Sequence, residues 1–371
     1  MTDAPRPRGE TTDASGGGGR TDREPERFAF LHHPLLGTVV EVVVWCDSPS
    51  TADDVDAAVV AEIERREAIF SAYRPDSEFR RWAGGALDTP GPELSEVLAL
   101  ALDWQLRSDG AFNPAAGELT ALWRAAEETG VTPSDDEIEA AVRSIAEPRF
   151  VLDGDRPVLV GSGDRLQLNA IAKGHIVDAA LAAALDVEVG TAHDAATVDA
   201  VTGGSATERT TGRGVVSVLV NAGGDLAHRG VRPTVVGIEN PLRPYDNEPP
   251  VARLVLRDAG LATSGSSRRG FTVGTRRHSH VIDPRTGHPV TSQASISVVA
   301  PRAATADVVA TVAGVLDPED AVALVAPMDG VGCLVIGPDG RHHSDPTWDA
   351  VAEPADPTGP VVRPGRPASS P

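Results

Sequence analysis

The sequence predicts an α+β fold, and three observations carry that prediction. Strand-like runs rich in β-branched residues fall in adjacent clusters separated by helical segments, not in the strict βαβ alternation of a doubly wound sheet. The chain has 371 residues, 41% of them hydrophobic, enough to bury a core as one large domain or two ordinary ones. Its 37 glycines and 30 prolines promise frequent turns between short elements, and no repeat of fixed period interrupts them.

The elements follow in order. Residues 1–27 are polar, charged and glycine-rich, with a run at Gly16–Gly19, and read as a disordered tail. The run LGTVVEVVVW at 36–45 reads as a strand. Val55, Val59, Ile63 and Phe70 recur at helical spacing, which predicts an amphipathic helix over 52–70. A second helix is expected over 94–107, after the break at Pro90 and Pro92 and before the turn Ser108-Asp109-Gly110. A third, over 134–145, opens with Ser134 and, three residues on, Glu137, the pattern of a capping box. The stretches 150–160 and 165–168 suggest a hairpin turned at Gly161–Gly163. An alanine-rich helix over 171–185 is expected to begin at or just after Lys173-Gly174. Residues 190–214 lack periodicity and read as a flexible insertion. Strands are expected at 215–221, 235–238, 252–256, 295–299 and 331–336, with a helix over 304–316. From residue 354 a second Pro/Ser-rich tail begins, which leaves a folded domain over 28–353.

Composition excludes several functions. A net charge of −21 repels phosphate backbones, and no basic patch offsets it, so no nucleic-acid partner is expected. No apolar run is long enough for a membrane span, and the N-terminus has neither an apolar signal core nor a lipidation cysteine, so the expected compartment is cytoplasmic. Cys46 and Cys333 each lie in an apolar run and read as buried strand thiols, not as metal ligands or a bridge.

Five stretches could carry chemistry. In AATADVVATVAGVL at 303–316, Asp307 and Thr311 lie one helical turn apart and would offer two hard oxygens, suited to Mg²⁺ rather than Zn²⁺. Such pairs are also common on ordinary solvated helices. In LNAIAKGHIVD at 168–178 stands Lys173, the only lysine among 33 basic residues. Arginine serves everywhere else, so a compact ammonium retained beside a glycine suggests a phosphate contact, against the plainer reading of a surface lysine. In HSHVIDPRTGHP at 278–289, His280 could accept a proton near neutral pH or simply be a structural hairpin histidine. LATSG at 261–265 reads as a small-residue turn able to present hydroxyls, or as a plain hairpin corner. NAGGD at 221–225 permits close backbone approach after a strand, but is neither a dinucleotide fingerprint nor a phosphate loop. Tyr73, just past a helix end, could stack on a flat ligand, while Phe112 has the setting of a core residue.

Eight stretches taken together resemble one family. They are LLGTVVEV (35–42), FSAYRPDSEF (70–79), SDGAFNPAAGEL (108–119), LNAIAKGHIVD (168–178), VNAGGD (220–225), LATSGSSRRG (261–270), HVIDPRTGHPV (280–290) and ATADVVATVAGVL (304–316). In this order they resemble the ApbE-like FAD:protein FMN transferases. The resemblance implies a T-fold-related architecture of mixed and antiparallel sheets with packed helices. It also implies a Mg²⁺-dependent enzyme that cleaves FAD and attaches FMN through a phosphoester to a Thr or Ser of an acceptor flavoprotein, releasing AMP. By the same resemblance, Mg²⁺ would be held by the Ala170 carbonyl, Asp307 and the Thr311 hydroxyl. FAD would touch Leu36, Tyr73, Ala111, Phe112, Asn113, Gln167, Lys173 and Ile282, and His280 would be the candidate base.

The chain departs from the family pattern at three of these positions. Leu36 stands where Met is usual, Asn113 where Asp is usual, and Gln167 where an acidic residue is common. Two other readings remain at this point: an Mg²⁺-dependent FAD pyrophosphatase that would use water at the same site, and, suggested by Asn113 and Gln167, a flavin-binding protein without turnover. A homodimer is also left open.

Overall fold

A computed structural model describes residues 24–187, 214–245, 247–265 and 270–352. The tails expected at 1–27 and from 354, and the insertion expected at 190–214, lie outside these residues except at their inner ends. One inner end needs correction: the first strand already begins at Glu26, inside the expected tail.

An eight-stranded antiparallel sheet organises the chain. Its strands are β1 (Glu26–Leu35), β2 (Thr38–Cys46), β5 (Ser217–Ala222), β6 (Asp225–Gly230), β9 (Gly260–Gly265), β12 (Ser295–Ala300), β13 (Gly332–Ile336) and β14 (His342–Ser344), in that spatial order. Strands β5 and β12 are buried at every residue. Both faces of the sheet are covered, so these central strands read as near-continuous apolar runs and not as alternating patterns.

One face carries the helices. These are α1 (Pro49–Phe70), α2 (Glu78–Ala83), α3 (Pro92–Arg107), α4 (Gly117–Thr129), α5 (Asp135–Ala146), α6 (Asn169–Asp186), α7 (Ala303–Ala313) and α8 (Pro318–Val325). Helix α6 lies between α1 and α7, and the three cover the middle of the sheet. The large core includes Val40, Val42, Val44, Val59, Ile63, Ile171, Val177, Val298 and Val309. On the opposite face, the hairpin β7 (Thr234–Ile238) and β8 (Ala252–Leu256) joins with α9 (Pro346–Val351) over a second cluster that includes Trp45, Leu219, Val236, Leu254 and Trp348. Two further hairpins, β3 (Phe150–Asp153) with β4 (Arg156–Leu159) and β10 (Gly270–Val273) with β11 (Arg276–Ser279), stand apart from the sheet.

The capping box of α5 is present as the sequence predicts. The Glu137 N–H donates to Ser134 Oγ, and the Ser134 N–H to Glu137 Oε2. Cys46 and Cys333 are free and buried on strands.

Three expectations are corrected. The hairpin expected over 150–168 is instead β3–β4, which turns at Gly154 (φ +63°) and not at Gly161–Gly163. LATSG is no turn: residues 261–265 form most of β9, paired on both sides. Helix α6 begins at Asn169, so Lys173 sits in its second turn and not at its N-terminus.

Candidate active site

The β1–β2 connection is a two-residue turn in which Leu36 (φ +54°) and Gly37 (φ +66°) are both left-handed, the geometry that matches strand twist in tight hairpins. A left-handed leucine is unusual, and here it holds Leu36 at the rim of a cavity of about 540 Å³. The same cavity is lined by Tyr73 from the end of α1, by Asn169, Ala172 and Lys173 from α6, and by Gly223 from the β5–β6 turn. That turn packs against the β1–β2 tip so closely that a Cβ on Gly223 would lie 2.4 Å from Thr38 Oγ1. Glycine is required there by both space and its φ of +63°. Tyr73 is 79% exposed, and its hydroxyl accepts a hydrogen bond from Asn169 Nδ2 at 2.9 Å, which ties the rim to the start of α6.

The charged centre lies beside this cavity. Lys173 Nζ is 3.0 Å from Asp225 Oδ2, at the first residue of β6. Asp225 and Asp307 are close enough to share a hydrogen bond, and both are buried. Burial pushes both carboxyls above the usual carboxylate range. At Asp307 the neighbouring Asp225 charge pushes further in the same direction, while Lys173 opposes the shift at both. Two buried carboxyls that share a hydrogen bond hold a proton between them, and a cation bound at this point would take that proton's place beside the Lys173 ammonium.

Helix α7 is tied to α6 at this point. The Gly174 N–H donates to Asp307 Oδ2 at 3.1 Å. Helical geometry aims that same N–H at the Ala170 carbonyl, so two of the three expected metal oxygens surround one donor. A side chain on Gly174 would clash, its Cβ falling 2.5 Å from the Ala303 carbonyl oxygen.

The other expected FAD residues form a neighbouring group. Ala111 and Phe112 are buried in the α3–α4 turn, where the Phe112 N–H donates to Ser108 Oγ. Asn113 is engaged with backbone: its Nδ2 donates to the Ile145 carbonyl at 2.9 Å, and its Oδ1 accepts from the Ala115 N–H at 2.8 Å. The Gln167 N–H donates to the Pro114 carbonyl, which joins this turn to the chain three residues upstream of Ala170. Ile282 is buried in the 280–290 turn, whose Gly287 carbonyl accepts from Trp123 Nε1 and whose Arg285 lies against Gly110. His280 is half-buried beside Ile282 and is not among the residues lining the cavity.

A model of the ApbE family matches residues 36–335. The chain belongs to the ApbE family. The FAD:protein FMN transferase of Treponema pallidum is 31% identical over 331 residues, covering 83% of this chain and 84% of that protein. The FAD:protein FMN transferase of Klebsiella pneumoniae is 28% identical, covering 80% of each. Among solved structures, the ApbE protein of Thermotoga maritima superposes with a TM-score of 0.70 at 24% identity, over 88% of this chain and 99% of that one. The likeness to that structure establishes the ApbE fold.

Within this ApbE-family chain, sequence reasoning missed one residue of the charged centre. Asp225 closes the NAGGD motif, which reads from sequence as a pair of permissive glycines. The available signal was an acidic residue directly after a strand-ending Gly-Gly, and only the β6–α6 packing reveals its partner as Lys173.

Among the described residues no cluster of three or more His, Cys, Asp or Glu side chains could hold a metal. The donor set expected from Asp307, Ala170 and Thr311 is of a different kind. One carboxylate, a backbone carbonyl and a hydroxyl are hard oxygens in the small number a Mg²⁺ ion takes from protein when phosphate and water supply the rest. The residues fit that ion.

Proposed function

We propose that the protein is a Mg²⁺-dependent FAD:protein FMN transferase that transfers FMN to a Thr or Ser hydroxyl of an acceptor flavoprotein and releases AMP. The observation that carries this reading is the Lys173–Asp225–Asp307 chain of charges at the side of a cavity walled by four of the family's motifs. Family membership supplies the frame, and the Lys173 ammonium beside the cavity supports the reading that a diphosphate binds there.

Ala170, Asp307 and Thr311 would hold the metal. Asp178 meets Ala303 and Ala304, and one turn back along α6 Gly174 meets Asp307; one further turn on each helix would bring Thr311 toward Ala170. When bound, Mg²⁺ would supply charge neutralisation on the diphosphate and on the departing AMP. Lys173, held by Asp225, presents an ammonium to the phosphate oxygens. Leu36 and Tyr73 offer an apolar edge and an exposed ring for a flat ring system. The acceptor hydroxyl attacks the FMN phosphorus in line; its oxygen forms the new P–O bond as the bond to AMP breaks. His280 would take the hydroxyl proton, a modest contribution in a loose transition state. Asn113, in hydrogen bonds to backbone, and the buried Ala111, Phe112 and Ile282 shape the wall behind the nucleotide, with Gln167 linking that wall to α6.

Incubation with FAD and Mg²⁺, with and without an acceptor flavoprotein, tests the reading. AMP released only with acceptor, together with a mass gain of one FMN on that acceptor, is expected. AMP released equally without acceptor would replace transfer by hydrolysis, and bound FAD without AMP in either case would leave only a binder.

A further inference from the structure

We infer that Asp178 is a positioning residue for the metal site, clamping the start of α7 so that Asp307 is held against α6. The inference rests on the proposed Mg²⁺ site. Helix α7 has no cap of its own: Arg302, at the N-cap position, makes no side-chain cap hydrogen bond. The exposed N–H groups are taken instead by a carboxylate from another helix. Asp178 Oδ1 accepts from the Ala303 N–H at 2.9 Å, and Oδ2 accepts from the Ala304 N–H at 3.1 Å and from Arg302 Nε at 3.2 Å. The Asp178 side chain is only 12% exposed, which limits screening of its charge against the positive end of the helix.

Spacing turns this cap into a positioning device. Ala170, Gly174 and Asp178 follow at intervals of four and share one stripe of α6. The stripe offers a carbonyl, then an N–H to Asp307 Oδ2, then the clamp on Ala303 and Ala304. Between clamp and carboxylate, Gly174 brings the helices to backbone contact at Ala303. Sliding or lifting α7 would have to break the Asp178 hydrogen bonds, and it would carry Asp307 and Thr311 away from Ala170 together. A capping residue with only a structural task could stand anywhere along the α7 start. This one grows from the same stripe as the proposed metal ligand.

Mn²⁺ binding to the full chain without FAD, followed by electron paramagnetic resonance, tests the inference, with Asp345→Asn as a matched control. Asp345 is also a buried cap, accepting from the Cys333, Thr347 and Trp348 N–H groups, but it serves α9 on the far face of the sheet. Asp178→Asn is expected to weaken Mn²⁺ binding by about tenfold, the usual effect of losing a group that orients a metal ligand. Asp345→Asn is expected to leave it within about twofold, although both variants melt at lower temperature. Should Asp178→Asn fail to fold, Asp178→Glu keeps the charge but displaces it by one methylene, and Mn²⁺ binding is expected to weaken with it. Wild-type affinity in a folded Asp178 variant, or equal losses in Asp178→Asn and Asp345→Asn, overturns the inference. Absence of Mn²⁺ binding in the wild type overturns it together with the metal site. A wild type that binds Mn²⁺ but releases no AMP defeats the transferase reading alone.

Discussion

The Gly174 N–H and the Asp307 carboxylate meet at 3.1 Å, and that hydrogen bond joins two helices across 133 residues of sequence. Through it, the LNAIAKGHIVD and ATADVVATVAGVL motifs become one site: an ammonium on one helix, a carboxylate on the other, and Asp225 between them.

Gly174→Ala tests that closeness. The added methyl would lie 2.5 Å from the Ala303 oxygen and 2.8 Å from Ala304 Cα, both backbone atoms that cannot rotate away. Overpacking of this kind costs about 1–3 kcal/mol. The expected result is a melting temperature lower by several degrees and a loss of AMP release larger than the stability loss explains. Wild-type turnover in a destabilised protein would separate the helix contact from the chemistry.

Asp307→Ala is expected to lower AMP release by at least about a hundredfold, the scale of a lost metal contribution of several kcal/mol. FAD binding should weaken by less than about tenfold, because the cavity walls at Leu36, Tyr73 and Lys173 remain. Isothermal calorimetry with FAD, set beside an AMP assay across a Mg²⁺ titration, separates the two effects. Turnover that persists and still saturates with Mg²⁺ would remove Asp307 from the metal site.

Lys173 and Asp225 should behave as a unit. Lys173→Arg keeps the charge, but its planar fork cannot reproduce a point contact at 3.0 Å to a carboxylate that is 2% exposed. Asp225→Asn frees the ammonium from its buried partner. Each is expected to raise the KM for FAD by about tenfold, with the double variant little worse than either single, since coupled residues are not additive. Additive losses would show that the two side chains act separately.

Much of this architecture is legible in the amino-acid sequence, and the parts that are not have physical reasons. Helices α1, α3 and α5 announce themselves by periodicity and caps, because each has one wet face. Strand β9 does not: a Cβ on Gly260 would lie 2.2 Å from the Ala303 nitrogen at the α7 start, and one on Gly265 would lie 2.9 Å from Ser295 Cβ, so close packing asks for glycine at both ends of the strand. Small residues demanded by close packing look like turn residues in a linear reading. Helix α6 hides its start for a related reason, since Leu168 caps it without a side-chain hydrogen bond and leaves no Ser, Thr or Asp signature. Asp225 is hidden by long-range pairing, which no local pattern encodes.

The thiols offer a check on burial. Burial pushes the Cys333 thiol up to about 12, with nearby Asp345 adding to the shift, and burial also raises Cys46. An ordinary thiol ionises near 8.5, so the folded state holds these groups neutral where an unfolded chain would release their protons. The stability that follows is fully present below about pH 8.5 and is lost as pH rises toward 12. Native protein at pH 8 should therefore resist a thiol reagent, and the denatured chain should take up two equivalents. Rapid labelling of the native protein would place either strand outside the core.

Asn113 allows the sharpest test of a departure from the family pattern. Its amide donates from Nδ2 to the Ile145 carbonyl and accepts at Oδ1 from the Ala115 N–H, so both ends are in use. An ionised aspartate can accept but not donate. Asn113→Asp, the residue usual in the family, would therefore set a carboxylate oxygen against the Ile145 carbonyl and leave that carbonyl without its donor. Losing the bond and placing two acceptors together should cost about 1–3 kcal/mol. The variant is expected to melt at lower temperature at pH 7 and to recover part of the difference near pH 4, where a protonated carboxyl can donate again. If the amide is instead a nucleotide contact, Asn113→Asp should alter FAD affinity with no change in melting temperature, and the two measurements on one variant decide between the roles.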